Sequence, residues 1–242
     1  MDDMDGTLTR LYSVYASEHS GPADWHGEAR MARRAVIPQL RSWLGRKSDL
    51  RVLDVGCGQG AIVQALIDEG YLAAQGVDRS PEQVDLAHRR GVRAVTLGDY
   101  SGKLRERWDV VLAFDFVEHL APSAVLPFFD QVLAALNPGG ILIARMPNAV
   151  SPFAGLYQHG DFTHRTVMSP RSFGQVARAA GFDSVKCQAS NPVVHGPKSA
   201  LRAILWAMIS LGLKASVAAE TGHTKVIVST NFLGIARKAA AE

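Results

Sequence analysis

The chain has 242 residues, 47% hydrophobic and 20% charged, with a net charge of +3. That apolar share fills a core and excludes a disordered chain, and the length suits one large α/β domain with additions. The positive balance fits an acidic substrate, but it is too small and too scattered to point to nucleic acid, with no basic stripe and no aromatic platform. In chain order, residues 1–24 are polar and read as a lid or leader carrying Tyr12 and Tyr15. They show no basic or apolar secretion pattern. Residues 25–242 then read as the main domain. A helix is expected over 25–44, with Met31, Val36, Ile37, Leu40 and Leu44 at helical spacing. Strand and helix then alternate: strand 51–55, helix 59–69, strand 72–77, helix 81–90 with Pro in its first turn, and strand 92–97. The run DVVLAF at 109–114 is apolar throughout, as in a parallel strand buried on both faces. Helix 124–136 follows, with Pro127 starting or kinking it. Asn137-Pro138-Gly139-Gly140 is expected to stop it before a fifth strand at 141–145.

After Met146 the pattern loosens. Residues 147–169 form a long loop, of a length that is usually functional or disordered, and it is taken as a substrate loop. Ser169-Pro170 starts a helix to Ala180, closed by Gly181, and a strand follows at 182–188. A helical insertion at 197–222 contains the apolar stretch 199–217. Residues 224–237 are expected to give a last strand, with a hairpin turn at Thr230–Asn231. The two cysteines, Cys57 and Cys187, lack metal spacing and read as those of a reducing, cytoplasmic compartment. No uninterrupted apolar run is long enough to span a bilayer. β-α alternation of this kind means a mostly parallel, Rossmann-like sheet with helices on both faces.

The chemistry begins in VLDVGCGQG, where a strand runs into a turn of Gly56, Gly58 and Gly60 and then a helix. Such a turn lets backbone approach a ligand closely, and the helix N-terminus offers N–H groups to a carboxylate. Asp54 can orient the turn or face an ammonium group. Asp78 closes the second strand, where a carboxylate accepts ribose hydroxyls. Asp99 closes the third, within reach of an adenine amino group, with Tyr100 or Val77 beside the ring. Cys57 and Arg79 sit within the same candidate set. A dinucleotide site has the spacing GxGxxG, whereas these glycines alternate with single residues.

VLDVGCGQG, GVD, GDY and DVVLAFDFVEHL together resemble the successive motifs of class I S-adenosylmethionine-dependent methyltransferases, over about residues 30–190. The resemblance implies a seven-stranded sheet with its last strand antiparallel. It assigns Asp54, Gly56, Gly58, Asp78 and Asp99 to the cofactor, and sets Phe114 and Asp115 beside its methionyl group.

Methyl transfer to a hydroxyl needs a base or a metal that lowers the hydroxyl's pKa. Asp115, Glu118 and His119 stand at i, i+3 and i+4 and are expected to share one face of a helical turn. Met146-Pro147-Asn148 and the segment Gly160–His164, with Asp161, Phe162 and Thr163 between, should approach the same edge. Two uses stay open. His119 or His164 acts as the base, with Glu118 beside it, or Asp115, Glu118, His119 and His164 bind Mg²⁺ or another divalent ion. The second use resembles the Glu-x-x-Glu-His metal arrangement of ubiquinone-pathway and small-RNA 2′-O-methyltransferases, with Asp115 in place of the first Glu. His26 and His195 stay open, and Trp25, near His26, is expected to help the N-terminal segment close over the cofactor.

PNAVSPFAGLYQHGDFTHRTVMSP, VVHGPKSALRAILW and TNFLGIARK are similar to bacterial methyltransferases of surface-polysaccharide and glycan clusters. This second resemblance implies O-methylation of a sugar hydroxyl on a soluble or lipid-linked saccharide. The alternatives are a phenol, quinone precursor or small natural product as acceptor, or a non-catalytic subunit that binds the cofactor. Helix 199–217 carries only Arg202 and Lys214 as charges. It packs on its own domain or in a homodimer, or it lies on the inner face of a membrane with Trp206 at the boundary.

Overall fold

The computed structural model describes residues 22–44, 49–192, 194 and 196–241. Most of the expected leader, and His195, lie outside the described residues. The chain opens with α1 (Pro22–Met31) and α2 (Ile37–Leu44), joined through a π-turn at Ala32–Val36. There follow β1 (Val52–Val55), α3 (Ala61–Asp68), β2 (Ala74–Asp78), α4 (Pro81–Arg89), β3 (Val95–Leu97), α5 (Tyr100–Lys103) and β4 (Trp108–Phe114). A 3₁₀ turn at Val117–His119 leads to α6 (Pro122–Ala135) and β5 (Leu136–Pro147). The second half adds α7 (Ala154–Gln158), α8 (Pro170–Ala179), β6 (Ser184–Ala189), α9 (Pro197–Thr221) and β7 (Asn231–Arg237).

The seven strands form one sheet in the order β3-β2-β1-β4-β5-β7-β6. β1 to β5 are parallel, and β7 runs antiparallel between β5 and β6. The sheet is the seven-stranded, mostly parallel one the sequence implied. Its strand order reverses between β1 and β4, so a crevice opens there at the carboxyl ends of the strands.

Alternate strand residues feed two cores, because successive side chains leave a strand on opposite faces. Val52, Val110, Leu112 and Ile143 pack with Ile37, Leu40, Ile62 and Leu66 on one face. Leu53, Val111, Leu142 and Ala144 pack with Phe128, Phe129, Val132 and Phe173 on the other. Local signals set the helix starts. Ser80 accepts from Gln83 N ahead of α4, and Ser169 with Ser172 makes a reciprocal capping box ahead of α8, each followed by Pro at the first turn.

Two expectations are corrected. The segment Asn137–Gly140 does not separate helix from strand, for β5 begins at Leu136 and carries these residues as a bulge. Trp108 pairs with Leu136 and Val110 with Ile141, so the extra residues loop out between them. The amide of Asn137 donates to Asp109 at 2.8 Å and fixes that bulge. Residues 224–230 form no strand or hairpin arm, because their carbonyls are used elsewhere. Asn148 donates to Ile227 O and Ser229 O at 2.8 and 2.9 Å, and Ser151 donates to Val228 O at 3.1 Å.

Candidate active site

The turn after β1 is held from β2. Gly56 N and Cys57 N both donate to Val77 O, at 2.9 and 3.2 Å. The Asp78 carboxylate accepts from Gly58 N and from Ser80 N, each at 2.8 Å. One side chain thus braces the glycine turn and the start of α4. Gly56 has φ +69°, and a Cβ there would come within 2.7 Å of Phe116 Cδ2, so no larger residue fits. Gly60, at φ +76°, is required for another reason. A Cβ there would meet Val95 Cγ2 at 2.7 Å, so it lets α3 approach β3.

The turn forms one wall of a cavity of about 510 Å³ at the strand-order reversal, within the usual range for small-ligand sites. Asp54, Gly56, Cys57, Gly58, Asp78, Arg79, Asp99, Tyr100, Phe114 and Asp115 all line it. Gly60, at the start of α3, is not among the lining residues. Asp99 Oδ1 accepts from Ser101 N at 2.9 Å and starts α5. Tyr100 meets Phe116 and Phe128 edge-on, with both centroid separations 5.3 Å.

The cavity is electronegative. Asp54 is 1% exposed, and its Oδ2 has no hydrogen-bond partner among the described residues. Burial pushes its carboxyl well up, and the charges of Glu28 and Asp78 push it further. Burial also raises Asp78, against the amides that stabilise its anion. A bound cation would relieve all three acids. A sulfonium with an α-ammonium group is such a cation.

Asp115 departs from the expected ligand set. It takes φ +48°, which turns it away from the following residues. It forms a two-pronged ion pair with Arg145 at the end of β5, Nε to Oδ1 being 3.0 Å. The turn after it is 3₁₀ rather than α-helical, so the shared face expected for Asp115, Glu118 and His119 is not formed. Both Asp115 and Arg145 line the cavity.

Glu118, His119 and His164 do come together. One nitrogen or oxygen from each lies within 4.8 Å of the others, and the two imidazoles meet edge-on at 4.8 Å. The long loop is docked here by backbone bonds, since Arg165 N and Thr166 N both donate to Glu118 O, at 2.7 and 2.9 Å. Glu118 is 3% exposed, and burial pushes its carboxyl from 4.5 up to about 8. Its own backbone N–H opposes the rise, and the charge of Asp161 adds to it. Thr163 Oγ1 donates to Asp161 Oδ1 at 2.7 Å and lies 2.8 Å from His119 Nδ1. A hydroxyl has one proton, and a carboxylate takes it first. His119 Nδ1–H is therefore assigned as donor to Thr163, which makes Nε2 the basic nitrogen. His119 lines the cavity, whereas His164 stands outside its lining.

Sequence reasoning missed three contributors, Glu28 from α1, Phe116 and Arg145, which all line the cavity. Asp161, in the segment expected at this edge, supports His119 through Thr163. Only Arg145, a lone cation closing an apolar strand, left a readable sign. Trp25 does not cover the cofactor side. The Arg90 guanidinium sits over its ring at 4.7 Å, tying α1 to the end of α4.

A seven-stranded sheet in this order, with an acid-lined cavity at its reversal, is the architecture of class I S-adenosylmethionine-dependent methyltransferases. Residues 26–186 match the family described as Methyltransferase domain, and the chain belongs to that family. Over 105 residues it is 34% identical to a ubiquinone biosynthesis O-methyltransferase of Nitrobacter winogradskyi, which covers 41% of this chain and 39% of that one. Over 152 residues it is 31% identical to the protein of the same description from Azorhizobium caulinodans, covering 55% and 59%. The chain therefore spans about two to three fifths of the length of these relatives. The solved structure of a SAM-dependent methyltransferase from Archaeoglobus fulgidus superposes with a TM-score of 0.65 at 20% identity, covering 94% of this chain and 99% of that one. The chain thus carries a methyltransferase domain with the class I fold.

Proposed function

We propose that the protein O-methylates a phenol or a quinone precursor, with His119 accepting the hydroxyl proton. The observation that carries this is His119 at the wall of the cofactor cavity, its Nδ1 engaged by Thr163 and Asp161. A phenol titrates near ~10, close enough to imidazole for one His to help remove its proton as the C–O bond forms. A sugar hydroxyl is far less acidic. The names of the curated relatives support the phenol in the same direction.

Bound S-adenosylmethionine would supply an activated methyl group, and His119 Nε2 would take the proton of the acceptor hydroxyl. The enzyme's part is chiefly alignment. Asp54 and Asp78 would hold the cofactor's ammonium and ribose, and Arg145 with Asp115 would wall the methionyl end.

The cluster supports a second use of the same side chains. Glu118 Oε2 and His164 Nδ1 are buried and lack partners among the described residues, and they lie beside His119. Those donors fit a divalent ion, which would lower the acceptor's pKa. One experiment tests both uses. Purified protein is incubated with cofactor and a catechol or a simple phenol, and S-adenosylhomocysteine is measured with chelator and with added Mg²⁺. Turnover that survives chelator and falls at least a hundredfold in His119→Ala is expected for the base. Turnover lost in chelator and restored by the ion assigns the cluster to metal. No product from any phenol, with turnover of a sugar instead, overturns the acceptor class.

A further inference from the structure

The surface of α9 is divided in a way the methyltransferase fold does not require. The helix has 25 residues and is about 37 Å long. Ser199, Ala203, Trp206, Ser210, Leu213 and Val217, three or four apart, face the domain and are buried or half-buried. The opposite half is apolar and open. Leu201, Ile204, Leu205, Met208, Ile209 and Leu211 are each between 46% and 70% exposed.

One charge, Lys198 in the first turn, falls within that half, and the others flank it. At 100° per residue, Arg202 falls on one side of the apolar face and Lys214 on the other, each about a third of a turn from its centre. Residues 190–230 hold Lys198, Arg202, Lys214 and Lys225, and Glu220 is their one acid. The apolar surface also continues toward the active site. Phe153 meets Trp206 with ring centroids 6.3 Å apart, and its loop exposes Leu156 at 72% and Phe162 at 86%. Phe162 immediately precedes Thr163, which touches His119.

We propose that α9 and the tip of this loop dock the enzyme on an anionic bilayer, with the helix lying in the headgroup plane and its apolar half in the acyl layer. An apolar half-cylinder edged by cations is the pattern of an in-plane interfacial helix. A second copy of the chain fits less well, because two such helices would bring six cations against two acids. The acceptor would then reside in the membrane, its hydroxylated ring entering past Phe162 while a long apolar tail stays behind. Docking stands on α9 alone; the tailed acceptor rests on the phenol reading above.

The test uses the full chain in flotation with vesicles of phosphatidylcholine alone and of phosphatidylcholine with phosphatidylglycerol. Binding to the anionic vesicles is expected, weakening with salt. The pair Arg202→Gln and Lys214→Gln should lower affinity roughly thirtyfold. The pair Leu205→Glu and Met208→Glu should abolish binding while cofactor affinity is unchanged, since both side chains are exposed and remote from the cavity. Wild-type protein that floats with neither vesicle overturns docking. So does a dimer in solution that the Glu pair converts to monomer. For the acceptor, a soluble phenol is compared with the same ring carrying an apolar tail in vesicles. The Glu pair should slow only the tailed substrate, and equal rates overturn the tailed acceptor. Vesicle binding with turnover of neither phenol overturns the phenol reading and leaves docking standing.

Discussion

Asp78 shows how one carboxylate serves structure and ligand together. Its two oxygens accept from Gly58 N and Ser80 N, and burial still holds its pKa above the ordinary value. It therefore has capacity left for donors that a bound ribose would bring. Asp78→Ala should weaken cofactor binding about a hundredfold by calorimetry, the loss expected for one or two charge-assisted hydrogen bonds. Unchanged affinity would remove Asp78 from the site. His119 depends on its neighbours differently. If Thr163 fixes which nitrogen is basic, Thr163→Val should cut kcat about tenfold, an effect within the range of a misplaced base. Cofactor affinity should not move, and Thr163→Ser should restore the rate. A merely structural Thr163 would lower Tm without that split.

Among the elements, Asn148 links the mobile-looking sequence of the long loop to the rest of the fold. It is fully buried and bonds to carbonyls of residues 227 and 229, while its Oδ1 accepts from Val150 N at 3.2 Å. Asn148→Ala leaves those carbonyls without donors and should cost roughly 2–3 kcal/mol in thermal or denaturant unfolding. The turn at Gly56–Gly60 should keep its cofactor affinity. This contact also marks a place where the sequence was not legible. The alternation up to Arg145 could be read because strands and helices have different apolar periods. The stretch TKVIVST looks equally strand-like. Its backbone is instead claimed by Asn148 and Ser151, some 80 positions earlier. The glycine turn and the strand-end acids were legible for a similar reason, since each lies within one β-α unit. Glu28 and Arg145 come from distant segments that only the folded sheet brings to the cavity. Asp115 misled because spacing along a helix says nothing once one residue turns to positive φ.

At the scale of the whole molecule, burying acids in and beside the cavity makes stability depend on pH. Glu118 is raised from 4.5 to about 8, and Asp54 also lies well above its ordinary value, each mainly by burial. A carboxyl whose pKa is higher in the folded state binds its proton more tightly there than in the unfolded chain. Between pH 4.5 and about 8 the unfolded chain therefore binds fewer protons, and stability falls as pH rises. For Glu118 the limiting slope is ~1.4 kcal/mol per pH unit. With chelator present and no cofactor, Tm should decline from pH 5 to pH 8, and Glu118→Gln should flatten part of that decline. Saturating S-adenosylmethionine should flatten another part, because a cation beside Asp54 stabilises its ionised form as well as the folded state. The two effects should add, since they act on different carboxyls. A wild-type Tm that is level or rising across this interval would show that Glu118 is already ionised when folded. It would then be available as an anionic ligand or hydrogen-bond acceptor to His119 at neutral pH.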